Sequence, residues 1–202
     1  MSDETTSDDV SVIVVGGGPA GLSAALFTAK NGLETTVFDT DETWMHKAHL
    51  FNYLGVGSVG GSEFMATARQ QVDDFGVDRR QDEEVTAVSE ADDGFVVETE
   101  DSEYEADFVV LATGANRDLA DDLGCAFADD DTVDVGVDME TSVEGVYATG
   151  AMVRPEEWQA AISVGDGAAA ALNILSTVKG EHYHDFDVPA DAERVFGEHV
   201  AE

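Results

Sequence analysis

The feature that most constrains this chain is a glycine-rich turn between an apolar run and an alanine-rich stretch, VSVIVVGGGPAGLSAALFTAKNG, beginning at Val10. The turn fits G-x-G-x-x-G, in which the first glycine permits the tight turn, the second lets a diphosphate approach the backbone, and the third lets helix and strand pack closely. The following LETTVFDT predicts a second strand that closes on Asp39. Strand, helix and strand within about thirty residues predict a right-handed βαβ unit with a dinucleotide diphosphate at the helix N-terminus.

Asp39 adds a second constraint, because it lies 23 positions after Gly16 at the end of the second predicted strand. A carboxylate at that place accepts hydrogen bonds from both hydroxyls of an adenosine ribose and repels a 2′-phosphate. We therefore expect a dinucleotide without a 2′-phosphate. The competing interpretation is a tight turn that binds no ligand.

The charge balance narrows the classes of partner. Nine Lys+Arg against 44 Asp+Glu give 9 − 44 = −35 at pH 7. This charge argues against nucleic acid and anionic membrane surfaces as partners. The acids recur along the whole chain, which is typical of proteins that fold in dense salt, so we expect a halophilic archaeal protein; an acidic face for a basic partner is the alternative.

The acidic N-terminus MSDETTSDDV is the opposite of a signal peptide, and we recognise no run of about eighteen apolar residues, so the sequence predicts a cytoplasmic protein without a membrane span. The single cysteine, Cys125, excludes an internal disulfide and a CxxC pair, and we interpret it as an inert buried residue. The histidines of HYHD, 182–185, lack a third ligand, so no metal site is expected.

Along the chain, GSEFMATARQQVDDFG predicts a helix with Ser62 as its N-cap and Gly76 as its stop. EEVTAVSE, GFVVETED and EYEADFVVLAT predict three strands, and a long closing helix is expected with Pro155 in its first turn. The predicted fold is α/β, an FAD-type Rossmann-like, doubly wound and mostly parallel sheet with a small antiparallel β-meander. We expect an acidic flexible N-terminus at 1–9, one domain at 10–180 and a C-terminal surface tail at 181–202.

Several motifs together carry a resemblance to a known family. They are GGGPAGLSAAL, FNYLGVGSVGGSEFMATARQQVDDFGV, VVLATGA, and VDMETSVEGVYATGAMVRPEEWQAAISVGDGAAAAL. In this order, over most of residues 10–177, the chain resembles the FAD-binding half of thioredoxin-reductase-like FAD-dependent oxidoreductases.

The resemblance implies FAD as the cofactor and assigns positions around it. These are Gly16, Gly18, Pro19, Ala20 and Gly21 at the diphosphate; Asp39 with Thr40 at the ribose; Val85 near adenine; Lys47 and Asn52 near the flavin; Ala112, Thr113 and Gly114 at the strand end under the cofactor; Gly150 and Ala151 at the ribityl chain; and Gln159 and Ala160 at the flavin pyrimidine edge. A helix N-terminus at that edge would stabilise the negative charge of reduced flavin.

His46 and Lys47, in WMHKAHLF, are the candidate catalytic residues. A cation near the flavin tunes its potential and a histidine relays a proton to N5, whereas an ordinary solvated loop is the alternative. Trp44 and Trp158 are candidates to shield the flavin, although packed aromatic residues are the commoner case.

The departures from the family are equally informative. The family inserts an NADPH-binding domain between its second flavin motif and its closing motif, whereas a connector at 116–131 stands there in this chain, too short for a dinucleotide fold. The family's CxxC pair is absent, its ribityl-binding aspartate is replaced by Ala151, and a proline by Leu54.

We therefore expect an FAD-binding oxidoreductase that uses an external donor or partner protein, does not follow the dithiol route of a thioredoxin reductase, and forms a homo-oligomer through the surface exposed by the missing domain. A non-catalytic FAD-binding or nucleotide-binding module is the alternative. An NAD-type dehydrogenase is a third interpretation, which the Pro-Ala pair in the fingerprint and the closing motif disfavour.

Overall fold

The computed structural model describes residues 10–196, so the predicted acidic segment at 1–9 and the last six residues lie outside the described part of the chain. Its centre is a sheet of five strands, β1 Ser11–Val15, β2 Glu34–Asp39, β5 Asp78–Gln81, β9 Phe108–Leu111 and β10 Val146–Ala148. They lie in the order β10-β9-β1-β2-β5, and all four strand pairings in the sheet are parallel.

Two small antiparallel sheets accompany the central sheet. One pairs β3 His49–Leu50 with β4 Val59–Gly60; the other is the meander of β6 Val85–Glu90, β7 Phe95–Thr99 and β8 Glu103–Ala106. The helices are α1 Pro19–Lys30, α2 Gly61–Asp74, α3 Asp118–Asp122, α4 Ala160–Lys179 and α5 Ala192–Phe196, with 3-10 turns at Trp44–Lys47, Gly150–Val153 and Pro189–Asp191. The predicted α/β fold, with a mostly parallel sheet and a small antiparallel meander, is confirmed.

The core forms because the central strands are apolar on both faces, as parallel strands covered by helices must be. β1 and β9 are almost completely buried. Helix α1 packs closely on β1 and on α4 because glycines stand at the contacts. A Cβ at Gly21 would overlap the carbonyl oxygen of Gly16, and a Cβ at Gly167 would overlap that of Ala20.

Two expected helix starts were wrong. Helix α2 begins at Gly61 with Gly60 as its N-cap, and the Ser62 hydroxyl bonds the His46 ring instead. Helix α4 begins at Ala160, five residues after Pro155. The predicted stop of α2 at Gly76 is confirmed, because its φ of +79° lies in the left-handed region, in which a right-handed helix cannot continue.

The strand prediction EYEADFVVLAT was also wrong in treating this segment as one strand. Asp107 separates β8, in the meander, from β9, in the parallel sheet, and its carboxylate accepts hydrogen bonds from the Ser11 backbone N–H at 2.7 Å and hydroxyl at 2.8 Å. The edge strand β5, DRRQ, was missed because its polar sequence lacks the apolar alternation of a half-buried strand.

The segment after α4, expected as a surface tail, is mostly exposed between residues 181 and 190, and it contacts the end of α1 through Tyr183, Asp185 and Asp187. Lys30 forms ion pairs with Asp185 and Asp187, and the Tyr183 hydroxyl donates to the Asn31 side chain. Burial of Lys30 lowers its pKa, but hydrogen bonds to the two carboxylates outweigh that effect and raise the pKa overall.

Among the described residues, α4 is the one helix that is long and apolar enough to cross a membrane by length and composition, with a mean hydropathy of 1.3. The core helix of a soluble protein meets the same criterion. Here α4 packs along α1 through Gly167 and buries Ala170, Ala171, Ile174 and Leu175.

Candidate cofactor site

The candidate site lies at the carboxyl ends of β1, β9 and β10, which are neighbours in the sheet. The glycine turn follows β1, and the two ATGA segments, 112–115 and 148–151, follow β9 and β10. Ligands of open α/β sheets bind in the crevice at this edge. The two ATGA segments therefore lie side by side at the edge of the sheet where such ligands bind.

The glycine turn has the backbone geometry expected for approach of a diphosphate. Gly16 adopts φ +111°, and a Cβ there would overlap the carbonyl oxygen of Ala112. A Cβ on Gly18 would meet nothing closer than Thr43 Oγ1 at 3.8 Å, which leaves open space above the first turn of α1. Backbone N–H groups and the helix dipole favour an anionic ligand in that space.

Asp39 is 4% exposed and lies against the glycine turn, since a Cβ on Gly17 would overlap its carboxylate. Its oxygens accept hydrogen bonds from the Asp41 N–H at 2.9 Å, from Arg69 Nη2 at 2.9 Å and from Gln81 Nε2 at 3.3 Å. Both carboxylate oxygens of Asp39 therefore have hydrogen-bond donors within the chain.

Arg69, on α2, is a site residue that the sequence interpretation missed. Its guanidinium bridges Asp39 and Asp41, and its Nε is buried without a hydrogen-bond partner among residues 10–196. The sequence offered one signal for this role. Lysine and arginine are scarce, with 9 of them against 44 acids, so each arginine is expected to pair with an acid.

His46 lies beside this acidic pair. Its Nε2 is 2.7 Å from Asp41 Oδ1 and its Nδ1 is 2.9 Å from Ser62 Oγ, so both ring nitrogens are engaged. Hydrogen bonds from Arg69 and then from His46 lower the pKa of Asp41. His46 is thus linked, through Asp41, to the end of β2. Lys47 points its ammonium over the Trp44 ring, 5.0 Å from the centroid.

Asn52 and Gln159, both assigned to the flavin end, are brought together. Asn52 Nδ2 donates to Gln159 Oε1 at 2.8 Å, which ties the segment after β3 to the start of α4. Gln159 is the N-cap residue of α4, so Ala160 begins the helix whose positive dipole end faces this region.

The two ATGA segments are joined by Arg117, a second residue that was missed. Its Nε donates to the Met152 carbonyl at 2.9 Å, and its other nitrogens reach the carbonyls of Ala115 at 3.4 Å and Ala151 at 3.5 Å. Gly150 adopts φ +72°, and a Cβ there would approach the Ala20 side chain to 3.2 Å. The second segment therefore lies directly against the start of α1.

The remaining assigned residues differ in exposure. Ala112 is buried, Thr113 half-buried and Gly114 exposed after β9, and Thr40 is exposed after β2. Val85 is buried at the start of β6, four positions after β5 ends.

The residues weighed outside the site have simple environments. Cys125 is buried, its Sγ lies 3.6 Å from Thr141 Oγ1, and burial raises the pKa of the thiol. Trp44 and Trp158 are 81% and 52% exposed, so neither is a packed core residue. No cluster of three or more potential metal ligands occurs between residues 10 and 196.

The parallel sheet with the glycine turn after β1 has the architecture of a doubly wound α/β fold. Residues 10–60 and 53–165 match the family model described as pyridine nucleotide-disulphide oxidoreductase, and the chain belongs to this family. The predicted resemblance to thioredoxin-reductase-like proteins is confirmed by relatives and by solved structures.

Thioredoxin reductase of Treponema pallidum (strain Nichols) is 36% identical over 119 residues, which are 54% of this chain and 36% of the relative. A component of the alkyl hydroperoxide reductase of Staphylococcus aureus (strain NCTC 8325 / PS 47) is 32% identical over 111 residues, 52% of this chain and 21% of the relative. The chain therefore matches only about a fifth to a third of the length of these relatives.

The solved structures share the fold at lower identity. A thioredoxin reductase from Gloeobacter violaceus superposes with a TM-score of 0.80 at 20% identity, covering 88% of this chain and 98% of that one. The thioredoxin reductase of T. acidophilum gives 0.77 at 18% identity, with coverages of 82% and 97%.

Proposed function

We propose that this chain binds FAD and transfers electrons or a hydride between the flavin and an external donor or partner protein. The observation that carries the proposal is the edge of the sheet at which the glycine turn and the two ATGA segments lie side by side, with Arg117 bonded to carbonyls of Ala151 and Met152. This arrangement offers backbone N–H groups near Gly18 for an anion, the Asp39 carboxylate for a ribose, and the polar side chains of Asn52 and Gln159 for the flavin.

The residues present fit FAD at three places. The open space above Gly18 suits the diphosphate, Asp39 suits the adenosine ribose, and the Asn52–Gln159 pair suits the polar edge of the isoalloxazine. The fourth place fits less well, because Ala151 replaces the carboxylate that binds the ribityl hydroxyls in the family. Loss of one such hydrogen bond weakens binding by about 1–2 kcal/mol.

When bound, FAD supplies a carrier of two electrons, and the chain's own residues set its environment. The N-terminus of α4 stabilises negative charge at the pyrimidine edge. We assign Lys47 to tuning the potential and His46 to moving protons. The His46–Asp41 contact supports this role, since a carboxylate 2.7 Å from Nε2 holds the ring in a fixed orientation.

We further propose that the donor comes from outside this domain. Between β9 and β10 the described chain holds only α3, turns, the isolated β-bridge Phe127–Val133 and Glu140, which forms a second isolated bridge with Tyr147. The dithiol route of thioredoxin reductases is disfavoured because Cys125 is the one cysteine and is buried. A halophilic, cytoplasmic homo-oligomer remains our proposal for the protein's setting, supported by its net charge of −35.

A non-catalytic FAD-binding or nucleotide-binding module is the second candidate, and Ala151 at the ribityl position favours it. The two candidates differ in whether a physiological reductant reaches the flavin.

The test is an absorbance spectrum of the purified chain in high salt, with and without added FAD, followed by anaerobic NADH, NADPH or dithionite. We expect flavin bands that bleach. Failure to take up FAD would refute the proposal. Bleaching by dithionite alone would exclude a nicotinamide donor and favour a protein donor or the non-catalytic module.

A further inference from the structure

The chain itself holds the Asp39 carboxylate from two sides. Oδ1 accepts the Asp41 N–H at 2.9 Å, which closes an Asx turn, and Oδ2 accepts Arg69 Nη2 at 2.9 Å. The Asp39 side chain is 5% exposed and that of Arg69 is 16% exposed, so both lie largely out of water. A hydrogen bond between charged groups is about twice as strong as one between neutral groups. The Asp39 carboxylate therefore has one favoured orientation.

A second acid holds Arg69 in its place. The same nitrogen, Nη2, bonds Asp41 Oδ1, and this oxygen also lies 2.7 Å from Nε2 of the His46 ring. Asp41 adopts φ +60°, in the left-handed region that aspartate tolerates better than most residues. We call Asp39, Asp41 and Arg69 the arginine bridge. Without the guanidinium, two neighbouring acids would repel one another.

The arginine bridge leaves the Asp39 carboxylate able to accept further hydrogen bonds. A carboxylate offers about four acceptor sites. Asp41 and Arg69 use two of them, and Gln81 Nε2 uses a third at 3.3 Å, which is longer than the usual range of about 2.7–3.2 Å. Gln81 is the donor most readily released, because its bond is long and its amide is neutral. Its release gives two acceptor sites for the two hydroxyls of a ribose, while Arg69 keeps its place.

We propose that Arg69 is a positioning residue that makes this site prefer a ribose to a 2′-deoxyribose. Arg69 fixes the carboxylate that accepts the 2′-hydroxyl and does not itself bind the nucleotide. A fixed acceptor loses little conformational freedom when the ligand binds. A hydroxyl bonded to a charged acceptor contributes more to affinity than one bonded to a neutral group. The inference rests on the proposed function in that it places an adenosine ribose at Asp39.

An arginine beside a ribose has a second common role, which is to bind a 2′-phosphate. The contacts of Arg69 disfavour that role. Nη2 is bonded to two carboxylates, and Nε is buried without a hydrogen-bond partner among residues 10–196. A phosphate at Nη2 would lie against both acids, which would repel it.

The test is titration calorimetry of the full chain, freed of flavin, with ADP and 2′-deoxy-ADP in concentrated KCl. We expect the wild type to bind ADP about 10- to 100-fold more tightly, the range that corresponds to one hydrogen bond to a charged acceptor. Arg69→Met should reduce this preference to less than about 3-fold, because the carboxylate is then no longer held in one orientation. Arg69→Lys keeps the charge without the planar guanidinium, so its preference should lie between these values.

Arg80→Met is the matched control. It removes the same charge from an exposed pair with Asp78 and should leave the preference for ADP unchanged. Far-UV circular dichroism confirms that each variant is folded, and Arg69→Lys provides the second variant if Arg69→Met does not fold.

A purely structural loss weakens the binding of both nucleotides alike, so a preference that stays at its wild-type value in every folded variant of Arg69 would overturn the inference. Tighter binding of adenosine 2′,5′-bisphosphate than of its isomer ADP would overturn it as well, because Arg69 would then bind a phosphate. FAD uptake is read on the same samples. Uptake of FAD without a preference for ribose contradicts this inference alone. A preference that depends on Arg69 without FAD uptake contradicts the proposed function alone, and binding of neither FAD nor ADP contradicts both.

Discussion

The side-chain amide of Asn52 donates a 2.8 Å hydrogen bond to Oε1 of Gln159, a residue 107 positions later in the chain. The bond fastens the segment after β3 to the first turn of α4, at the place where the resemblance expects the polar edge of the flavin.

Asn52→Asp should lower the reduction potential of bound FAD, because a carboxylate beside the flavin disfavours the negative charge that reduction creates. A destabilisation of about 1–2 kcal/mol corresponds to about 20–40 mV for a two-electron couple. The measurement is a dye-equilibrated reductive titration. Asn31→Asp makes the same charge change at the C-terminal end of α1 and should leave the potential unchanged. Equal shifts in both variants would show that Asn52 does not lie beside the flavin.

Asp39→Asn should weaken FAD binding about 10- to 100-fold, since hydrogen bonds to a charged group contribute about 1.5–3 kcal/mol. Quenching of flavin fluorescence gives the dissociation constant. Asp129→Asn, an exposed position in the connector, is the control for the change in net charge. Unaltered affinity in Asp39→Asn would contradict the assignment of this carboxylate to the ribose.

Arg69→Met should lower the free energy of unfolding by about 3 kcal/mol, because it leaves the buried Asp39 carboxylate without its cation. Arg80→Met breaks the exposed pair with Asp78 and should cost less than about 1 kcal/mol. Denaturant unfolding at constant salt measures both. Similar losses in the two variants would show that Arg69 is no more than a surface cation.

Gly167→Ala and Gly165→Ala test the α1–α4 contact from within one helix. A methyl group at Gly167 would overlap the Ala20 carbonyl, whereas one at Gly165 meets nothing within 4 Å. We expect the first to destabilise the fold by about 1–3 kcal/mol and the second to stabilise it by about 0.4–1 kcal/mol. Thermal unfolding of the two variants side by side provides the comparison, and equal signs would contradict the packing.

Asp41→Asn should destabilise the protein in a pH-dependent way. Arg69 and His46 lower the pKa of Asp41 below its ordinary value of 3.8, so its ion pairs stabilise the fold above that pH and are lost as the pH falls through the lower folded pKa. The difference in unfolding free energy between wild type and variant should therefore be full at pH 6 and shrink below 3.8. Mutual repulsion of the other acids affects both proteins, so it cancels in the difference; a constant difference would contradict the prediction.

The glycine fingerprint, the βαβ order and the period-two strands were sufficient to predict the fold class. These features are local, because the steric demands at Gly16 and Gly21 and the apolar runs of β1 and β9 act over a few residues. Helix starts were less predictable. Serine is a residue type that favours the N-cap position, but the hydroxyl of Ser62 bonds the His46 ring instead. The residues next to Ser62 in the sequence do not indicate this contact.

The sequence by itself determined an acidic α/β protein with a dinucleotide fingerprint and the motif order of the thioredoxin-reductase-like family. The tertiary structure alone decided that Arg69 pairs with Asp39, that Arg117 joins the two ATGA segments, and that Asn52 meets Gln159. The physical reason is that these features depend on contacts between residues 30 to 107 positions apart, which exist only after the helices have packed on the sheet.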